Sequence, residues 1–430
     1  MIGRLLGIGV LLSLGAFSED SIPRLLEQFQ AGPQTAILCD RVGIAYTRAG
    51  DLKSAEEFFR KALQKNPALV SARKNLGTVL WFQNRRTESV AEFQRVAKAL
   101  PADSVAHLYL GLSAYDHKDF PTAVKHFEGA GSLASANPEV LPLMVEAFLG
   151  SGQPGKAIQV LESTLVPDQG DSKSWIQLGQ AYDRANRPQD AYRSFQKAIE
   201  KSPGSDEAYL VLADFAAAHG NRAFARETLH RGIAANPQSL ALMLPYGVQT
   251  AMDGDFEGAA QIFRSAQQLA PTSAAPLLAL GVTELQAGKW DQAAKEFSAA
   301  SRIDQNDYRA AFLYAFALSQ STNAATRKSE DDIHAAFTRA IALNPRHAGS
   351  RVAMAQHLLT EGRTKDARAE LEAALHLETN NTAALYQMGL LYQRQGDSAE
   401  AERMMQRFRK AKAAAREDES QLIQILKTVQ

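Results

Sequence analysis

Apolar residues recur along the chain with a helical spacing that breaks and restarts at regular intervals. In one copy, the first stripe falls at i, i+3, i+4 and i+7 and consists of Trp175, Leu178, Gly179 and Tyr182. Pro188 interrupts the pattern, because proline lacks the amide hydrogen that a helix interior needs. A second stripe ends before Pro203 and consists of Ala191, Phe195 and Ala198. The pattern predicts two short helices joined by a turn.

This two-helix pattern repeats about every 34 residues. The prolines that close successive copies are 34 positions apart, from Pro67 to Pro101 and again from Pro203 to Pro237 and Pro271. Several copies keep a glycine in the first helix and a phenylalanine in the second, namely Gly43 and Phe59, Gly77 and Phe93, Gly111 and Phe127, Gly247 and Phe263, and Gly281 and Phe297. Because one helical pair cannot bury both of its faces, the copies are expected to stack on one another.

The full pattern, W-x2-L-G-x2-Y followed by A-x3-F-x2-A and a closing proline, resembles the tetratricopeptide repeat (TPR) family. The resemblance spans about residues 36–410 and implies about eleven tandem helix-turn-helix TPR units. It predicts an all-α fold, a right-handed α-solenoid superhelix with a C-terminal capping helix. Residues 19–35 are expected to form an N-terminal capping helix, and residues 411–430 a C-terminal solvating helix.

Glycines lie at the inter-helix turns of several repeats, and three irregularities interrupt the 34-residue period. Gly50 and Gly254, each followed by aspartate, lie at inter-helix turns and predict a left-handed backbone that ends the first helix. Extra residues precede Pro138, and Pro142 falls inside the first helix of the repeat that matches the pattern least well. About six extra polar residues within 319–332 lengthen an inter-helix turn and predict a surface loop, either merely tolerated or placed at a binding face.

The N-terminus has the pattern of a secretory signal peptide. Arg4 supplies a positive charge, residues 5–14 are apolar, and small residues at 16 and 18 precede a possible cleavage site before Glu19. Residues 1–18 therefore predict export by a bacterium, to the periplasm or as a secreted protein. The alternatives are a cytoplasmic protein or one anchored to the membrane by residues 5–14, a run too short to span a bilayer comfortably.

Composition and motifs argue against catalysis and nucleic-acid binding. The 47 basic and 47 acidic residues balance, and no basic stripe for a nucleic acid is visible. No catalytic or phosphate-binding motif occurs, the nine histidines are expected to be isolated on the surface, and the single cysteine, Cys39, occupies a buried repeat position. We therefore expect no enzyme activity, no cofactor and no metal site.

The resemblance also implies where a partner binds, because in TPR proteins the first helix of each repeat lines the concave groove. Carried over residue by residue, the inward positions favoured for partner binding are Trp81, Leu108, Leu112, Tyr115, Leu244, Val248, Leu278, Val282, Phe312, Phe316, Tyr386 and Leu390. Residues at these positions either bind a partner or pack against the preceding repeat. An apolar lining suits an amphipathic helix or an extended apolar peptide.

The sequence thus predicts a non-catalytic scaffold that binds a peptide or helical segment of a protein partner in this groove. The alternative is a periplasmic assembly or export factor for an envelope polymer, a pilus or a secretion machine. The oligomeric state is left open.

Overall fold

The structure, a computed structural model of the 430-residue chain, describes residues 21–165, 170–321 and 328–414. Throughout these residues the chain forms α-helices and no β-strand, which confirms the all-α prediction. The chain divides into two compact units, Met1–Ser202 (unit 1) and Pro203–Gln430 (unit 2). Within each unit, every helix packs against its neighbours in sequence, the arrangement of an α-solenoid.

In unit 1, the described residues contain twelve helices. They are Ile22–Ala31 (α1), Ala36–Arg48 (α2), Leu52–Lys65 (α3), Val70–Phe82 (α4), Arg86–Ala99 (α5), Ser104–Asp116 (α6), Phe120–Ala130 (α7), Ser132–Ser135 (α8), Leu141–Gly150 (α9), Pro154–Thr164 (α10), Ser172–Arg184 (α11) and Pro188–Lys201 (α12). From α2 onward, with the single-turn α8 as the exception, they alternate between the first and second helices of the predicted repeats.

In unit 2, a further twelve helices lie in the described part of the chain. They are Asp206–Ala218 (α13), Arg222–Ala235 (α14), Leu240–Met252 (α15), Phe256–Leu269 (α16), Ala275–Gln286 (α17), Trp290–Ile303 (α18), Tyr308–Gln320 (α19), Glu330–Leu343 (α20), Ala348–Thr360 (α21), Thr364–Leu377 (α22), Thr382–Arg394 (α23) and Ser398–Ala414 (α24). Each odd-numbered helix is the first helix of a repeat.

The turn between the two helices of a repeat has a left-handed residue, as the sequence predicts. Gly50 has φ 81° and Gly254 has φ 88°, a conformation in which glycine avoids the steric penalty of a side chain. The aspartate that follows starts the second helix. Asp51 accepts a hydrogen bond from the backbone N–H of Ser54 (3.0 Å), so it satisfies one of the unpaired donors at the start of α3.

Inside a repeat, a glycine of the first helix faces a phenylalanine of the second. A Cβ added at Gly281 would lie only 2.6 Å from Cε1 of Phe297, whose side chain is fully buried. The same contact recurs between Gly43 and Phe59, Gly77 and Phe93, Gly111 and Phe127, Gly179 and Phe195, and Gly247 and Phe263. The two helices approach so closely that only a hydrogen atom fits beneath the ring.

The structure adds detail at two of the irregularities, the segment around Pro138 and Pro142 and the 319–332 insertion. Pro142 lies inside a first helix, as expected, but at its very start, because α9 begins at Leu141 and the proline falls in its first turn. Proline is tolerated there, since the first-turn amides have no intrahelical acceptor. Part of the extra chain before it forms the one-turn helix α8. In the 319–332 insertion, α19 ends at Gln320 and α20 begins at Glu330.

Helix α1 packs its one fully buried side chain, Leu25, against an apolar cluster that includes Cys39 and Phe58. Cys39 is buried as expected, and burial raises the pKa of its thiol. At the other end, α24 continues without a break to Ala414. The predicted signal peptide at residues 1–18, and residues 415–430 of the predicted solvating helix, lie outside the described residues.

Candidate partner-binding surface

Half of the predicted groove positions are buried in the repeats. These side chains are at most 2% exposed, and they are Trp81, Leu108, Leu112, Val248, Leu278 and Val282. These six are packing residues in the structure, the second of the two roles expected for these positions. Their side chains pack among the helices of their own and neighbouring repeats, which contact one another within each unit.

The other six predicted positions keep part of their surface. Tyr386 is 41% exposed, and the half-buried residues are Tyr115, Leu244, Phe312, Phe316 and Leu390. In unit 1, Tyr115 is already engaged, because its hydroxyl donates a hydrogen bond to Glu146. Burial, followed by this contact, raises the pKa of Tyr115 well above its usual range. The remaining apolar positions lie in unit 2.

Phe312 and Phe316 belong to a continuous run of aromatic rings, which we call the aromatic strip. Its members, in order of contact, are Trp290, Phe316, Phe312, His347 and Tyr308. Ring centroids are 6.3 Å apart for Trp290 and Phe316 and 6.1 Å apart for Phe316 and Phe312. His347 lies 5.1 Å from both Phe312 and Tyr308. All five side chains are half-buried.

Helix geometry places these rings side by side. Tyr308, Phe312 and Phe316 are four residues apart on α19 and therefore share one face of that helix. Trp290 begins α18, and His347 is the N-cap of α21. The buried parts of the Phe312 and Phe316 side chains pack against the unit 2 core, which holds both rings in place.

The aromatic strip carries no net charge at neutral pH. Nδ1 of His347 accepts a hydrogen bond from the Ser350 backbone N–H (3.2 Å), and burial lowers the pKa of the imidazole below its usual range. Beside the strip, Arg309 forms a two-point ion pair with Asp307, with Nη2–Oδ2 at 2.9 Å and Nε–Oδ1 at 3.0 Å. Such a surface suits apolar side chains rather than a charged ligand.

A cleft on the neighbouring helices was not predicted from the sequence. It has a volume of about 360 Å³ and lies between α18, α19 and α20. Arg302, Lys328 and Arg339 give it a basic lining, with Asp332 as the opposing acid. Two of these residues, Lys328 and Asp332, belong to the irregular 319–332 segment, so the insertion is the sequence signal for this cleft.

The expectation that the histidines are isolated on the surface is wrong for His357. Its side chain is 4% exposed and lies against two carboxylates, Glu330 and Glu361. Ligand atoms of the three residues all lie within 4.8 Å of one another, an arrangement that can hold a metal ion. The signal in the sequence is the i, i+4 spacing of His357 and Glu361, which pairs a histidine with a carboxylate.

The repeated helical hairpins, with their glycine–phenylalanine contacts and left-handed turns, define a helical-repeat protein. Sequence profiles described as tetratricopeptide repeat match residues 36–68, 74–138, 184–244, 251–315 and 358–417, which together make up more than half of the chain. The chain belongs to the tetratricopeptide repeat family.

Individual relatives are distant. The chain is 22% identical over 187 residues to anaphase-promoting complex subunit 6 of Arabidopsis thaliana, a match that covers 42% of this chain and 34% of that protein. The matched region thus spans about a third of that relative's length.

Among solved structures, yeast Tom70 is 16% identical, with a TM-score of 0.42 and coverage of 95% of this chain and 91% of that one. The Cut9–Hcn1 hetero-tetramer of the anaphase-promoting complex is also 16% identical, with a TM-score of 0.42 and coverage of 92% and 76%.

Among the residues that the structure describes, every helix is too short or too polar to cross a bilayer.

Proposed function

We propose that this protein is a non-catalytic interaction scaffold that binds a peptide or an amphipathic helix of a partner protein on the aromatic strip. The observation that carries the proposal is a run of five aromatic side chains, each in contact with the next and each with part of its surface exposed. Aromatic side chains supply most of the energy in many protein interfaces, because they bury a large area at a small cost in conformational entropy.

The chemistry of the aromatic strip selects the kind of partner. Its rings lie at the spacing of one helix face, so apolar side chains at i, i+3 and i+4 of a partner helix can pack between them. The nearby charges of Arg309 and Asp307 already neutralise each other. Stacked helical repeats commonly present extended binding surfaces. The Arabidopsis relative is, by its name, a subunit of a larger complex, which agrees with a role in assembly.

Phe312→Gln combined with Phe316→Gln should weaken partner binding by about 10-fold or more, because removal of aromatic anchors from an interface costs about 2 kcal/mol or more. The probe is a peptide selected on the wild-type chain from a phage-displayed library, with its Kd measured by fluorescence anisotropy. The recovery of native partners in a pull-down provides a second measurement.

The matched control replaces two exposed apolar residues outside the aromatic strip, Leu269→Gln and Leu377→Gln, which are 43% and 37% exposed. This control should leave the Kd unchanged. Circular dichroism must show that both proteins keep their helix content. If the double phenylalanine variant remains helical and binds the selected peptide and the native partners as well as wild type, the aromatic strip is not the binding surface.

We further propose that the protein is exported, which favours a role as an assembly or export factor in a bacterial envelope as the second candidate function. The support is the charged, apolar and small-residue pattern of residues 1–18. N-terminal sequencing of the protein from the native host should find Glu19 as the first residue. A mature chain that begins at Met1 would contradict cleavage.

A further inference from the structure

Three side chains of unit 2 converge on one point between α20 and α21. Nε2 of His357 lies 2.9 Å from Oε1 of Glu361 and 3.3 Å from Oε2 of Glu330. The side chain of His357 is 4% exposed, that of Glu361 is 13% exposed, and that of Glu330 is 44% exposed. The cluster is therefore buried on the histidine side and opens to solvent at Glu330.

The contacts within this cluster are close, yet they lack hydrogen-bond geometry. Nε2 of His357 and Oε1 of Glu361 are both shielded from solvent, and neither has a hydrogen-bond partner. Buried polar atoms in proteins almost always have a partner, and one without it needs a physical reason. Atoms that point toward a shared third position, rather than at each other, are the arrangement expected of ligands around a cation.

Local structure holds these ligands in place. His357 and Glu361 are four residues apart at the end of α21, so they share one helix face. The buried ring of Phe337 lies with its centroid 6.1 Å from that of His357. Glu330 is the first residue of α20 and lies near the end of the irregular 319–332 segment. The other oxygen of Glu361, Oε2, faces the guanidinium of Arg363 at 3.4 Å.

The distances and the donor types indicate the class of cation. Bonds of about 2.0–2.1 Å from Zn²⁺ to imidazole and carboxylate place neighbouring ligand atoms about 3.0–3.4 Å apart. The two measured separations, 2.9 Å and 3.3 Å, lie close to that range. An imidazole nitrogen favours Zn²⁺ and similar transition-metal ions, whereas Mg²⁺ and Ca²⁺ prefer oxygen ligands alone.

We propose that Glu330, His357 and Glu361 form a site for one divalent transition-metal ion of the Zn²⁺ class. The ion joins the start of α20 to the end of α21, and so it links the second helix of one repeat to the first helix of the next. Three protein ligands leave at least one coordination position for water or for a group from a partner. The site does not depend on the aromatic strip, because no ligand belongs to it.

The test uses the full chain, stripped of metal with a chelator and titrated with ZnCl₂ by isothermal titration calorimetry. Wild type should bind one Zn²⁺ and should unfold at a higher temperature when zinc is present, because a ligand of the folded state stabilises it. MgCl₂ at the same concentration should do neither. With Co²⁺ in place of Zn²⁺, a visible absorption band should appear.

Two ligand variants and one control make the test specific. His357→Gln should abolish zinc binding, and Glu330→Gln should weaken it by about 10-fold or more. Glu330→Gln decides the question if the histidine variant does not fold, because Glu330 is partly exposed. His376→Gln should bind zinc like wild type, since His376 is exposed and has a carboxylate, Glu372, at the same four-residue spacing.

Two results would overturn the proposal. The absence of zinc binding by wild type would mean that the cluster is only a packing contact between an imidazole and two carboxylates. Zinc binding that persists in Glu330→Gln, or that is lost in His376→Gln, would place the metal elsewhere.

Discussion

Gly281→Val should lower the free energy of unfolding by about 3 kcal/mol, because overpacking a full core costs roughly 1–3 kcal/mol or more. A Cβ at position 281 would lie 2.6 Å from Cε1 of Phe297, and valine adds two further methyl groups. The ring of Phe297 is fully buried and is enclosed by other core residues, so it cannot turn aside. Valine is a better helix former than glycine by only about 0.4 kcal/mol, far less than the clash. Urea unfolding monitored by circular dichroism measures the change.

Phe297→Leu should partly rescue Gly281→Val, because other repeats of this chain make the same exchange. Where the glycine position holds a larger residue, the residue 16 positions later is leucine in three repeats, with the pairs Val145 and Leu161, Ala213 and Leu229, and Ala355 and Leu371. All six side chains are buried. The smaller, flexible leucine leaves room for the extra carbon atoms.

A double-mutant cycle isolates this coupling. We expect the double variant to be more stable than the sum of the single effects predicts, by about 1 kcal/mol or more. Gly155→Val is the matched control, because nothing lies within 4 Å of a Cβ there and its φ is not positive. This control should change stability by less than about 0.5 kcal/mol. Equal losses in Gly281→Val and Gly155→Val would contradict the packing argument.

The glycine positions show what a single sequence can predict. Gly179 and Phe195 belong to the apolar stripes that the sequence predicts for two paired helices, and a Cβ added at Gly179 would lie only 2.5 Å from Cε1 of Phe195. The period reveals this contact because it is local and recurs in several repeats. Leu161, in contrast, stands at the position that phenylalanine fills in other repeats. Val145 explains this leucine, because the two buried side chains together fill the space that glycine and phenylalanine fill in other repeats.

The groove positions show where sequence reasoning stops. The repeat register correctly places Leu278 and Val282 on the first helix, but it does not say how closely the first helices of neighbouring repeats approach. How closely all the surrounding helices pack decides whether an inward side chain is exposed, as in Tyr386, or fully covered, as in Val282. It depends on the sizes of many side chains at once, which the periodicity does not encode.

The cluster of Glu330, His357 and Glu361 could not be predicted from the repeat period for a related reason. Glu330 and His357 belong to different repeats, and residues of the 319–332 insertion lie just before Glu330, so the period does not align the two. Only the half that lies within one helix, His357 and Glu361, had a readable spacing. Glu372 and His376 have the same four-residue separation, so this spacing alone does not single out the cluster.

Phe263→Ala should have the largest effect of any single change considered for unit 2, a loss of about 3–5 kcal/mol in the free energy of unfolding. Phe263 is fully buried, and its ring lies over Gly247, so truncation leaves a cavity that the glycine has no side chain to fill. The backbone of α15 and α16 would have to move together to close it, and the close-packed neighbours resist that movement.

Because stacked repeats interact mainly with their nearest neighbours, we expect this loss to be unevenly distributed. In Phe263→Ala, hydrogen exchange should speed up most in α15 and α16 and less in α23 and α24, which lie further along the same unit. Leu269→Ala is the control from the same helix, since Leu269 is 43% exposed, and its effect should stay within about 0.5 kcal/mol. If both variants unfold at the same urea concentration, the phenylalanine layer is not the main source of stability. If exchange instead speeds up equally from α13 to α24, unit 2 unfolds as one cooperative block.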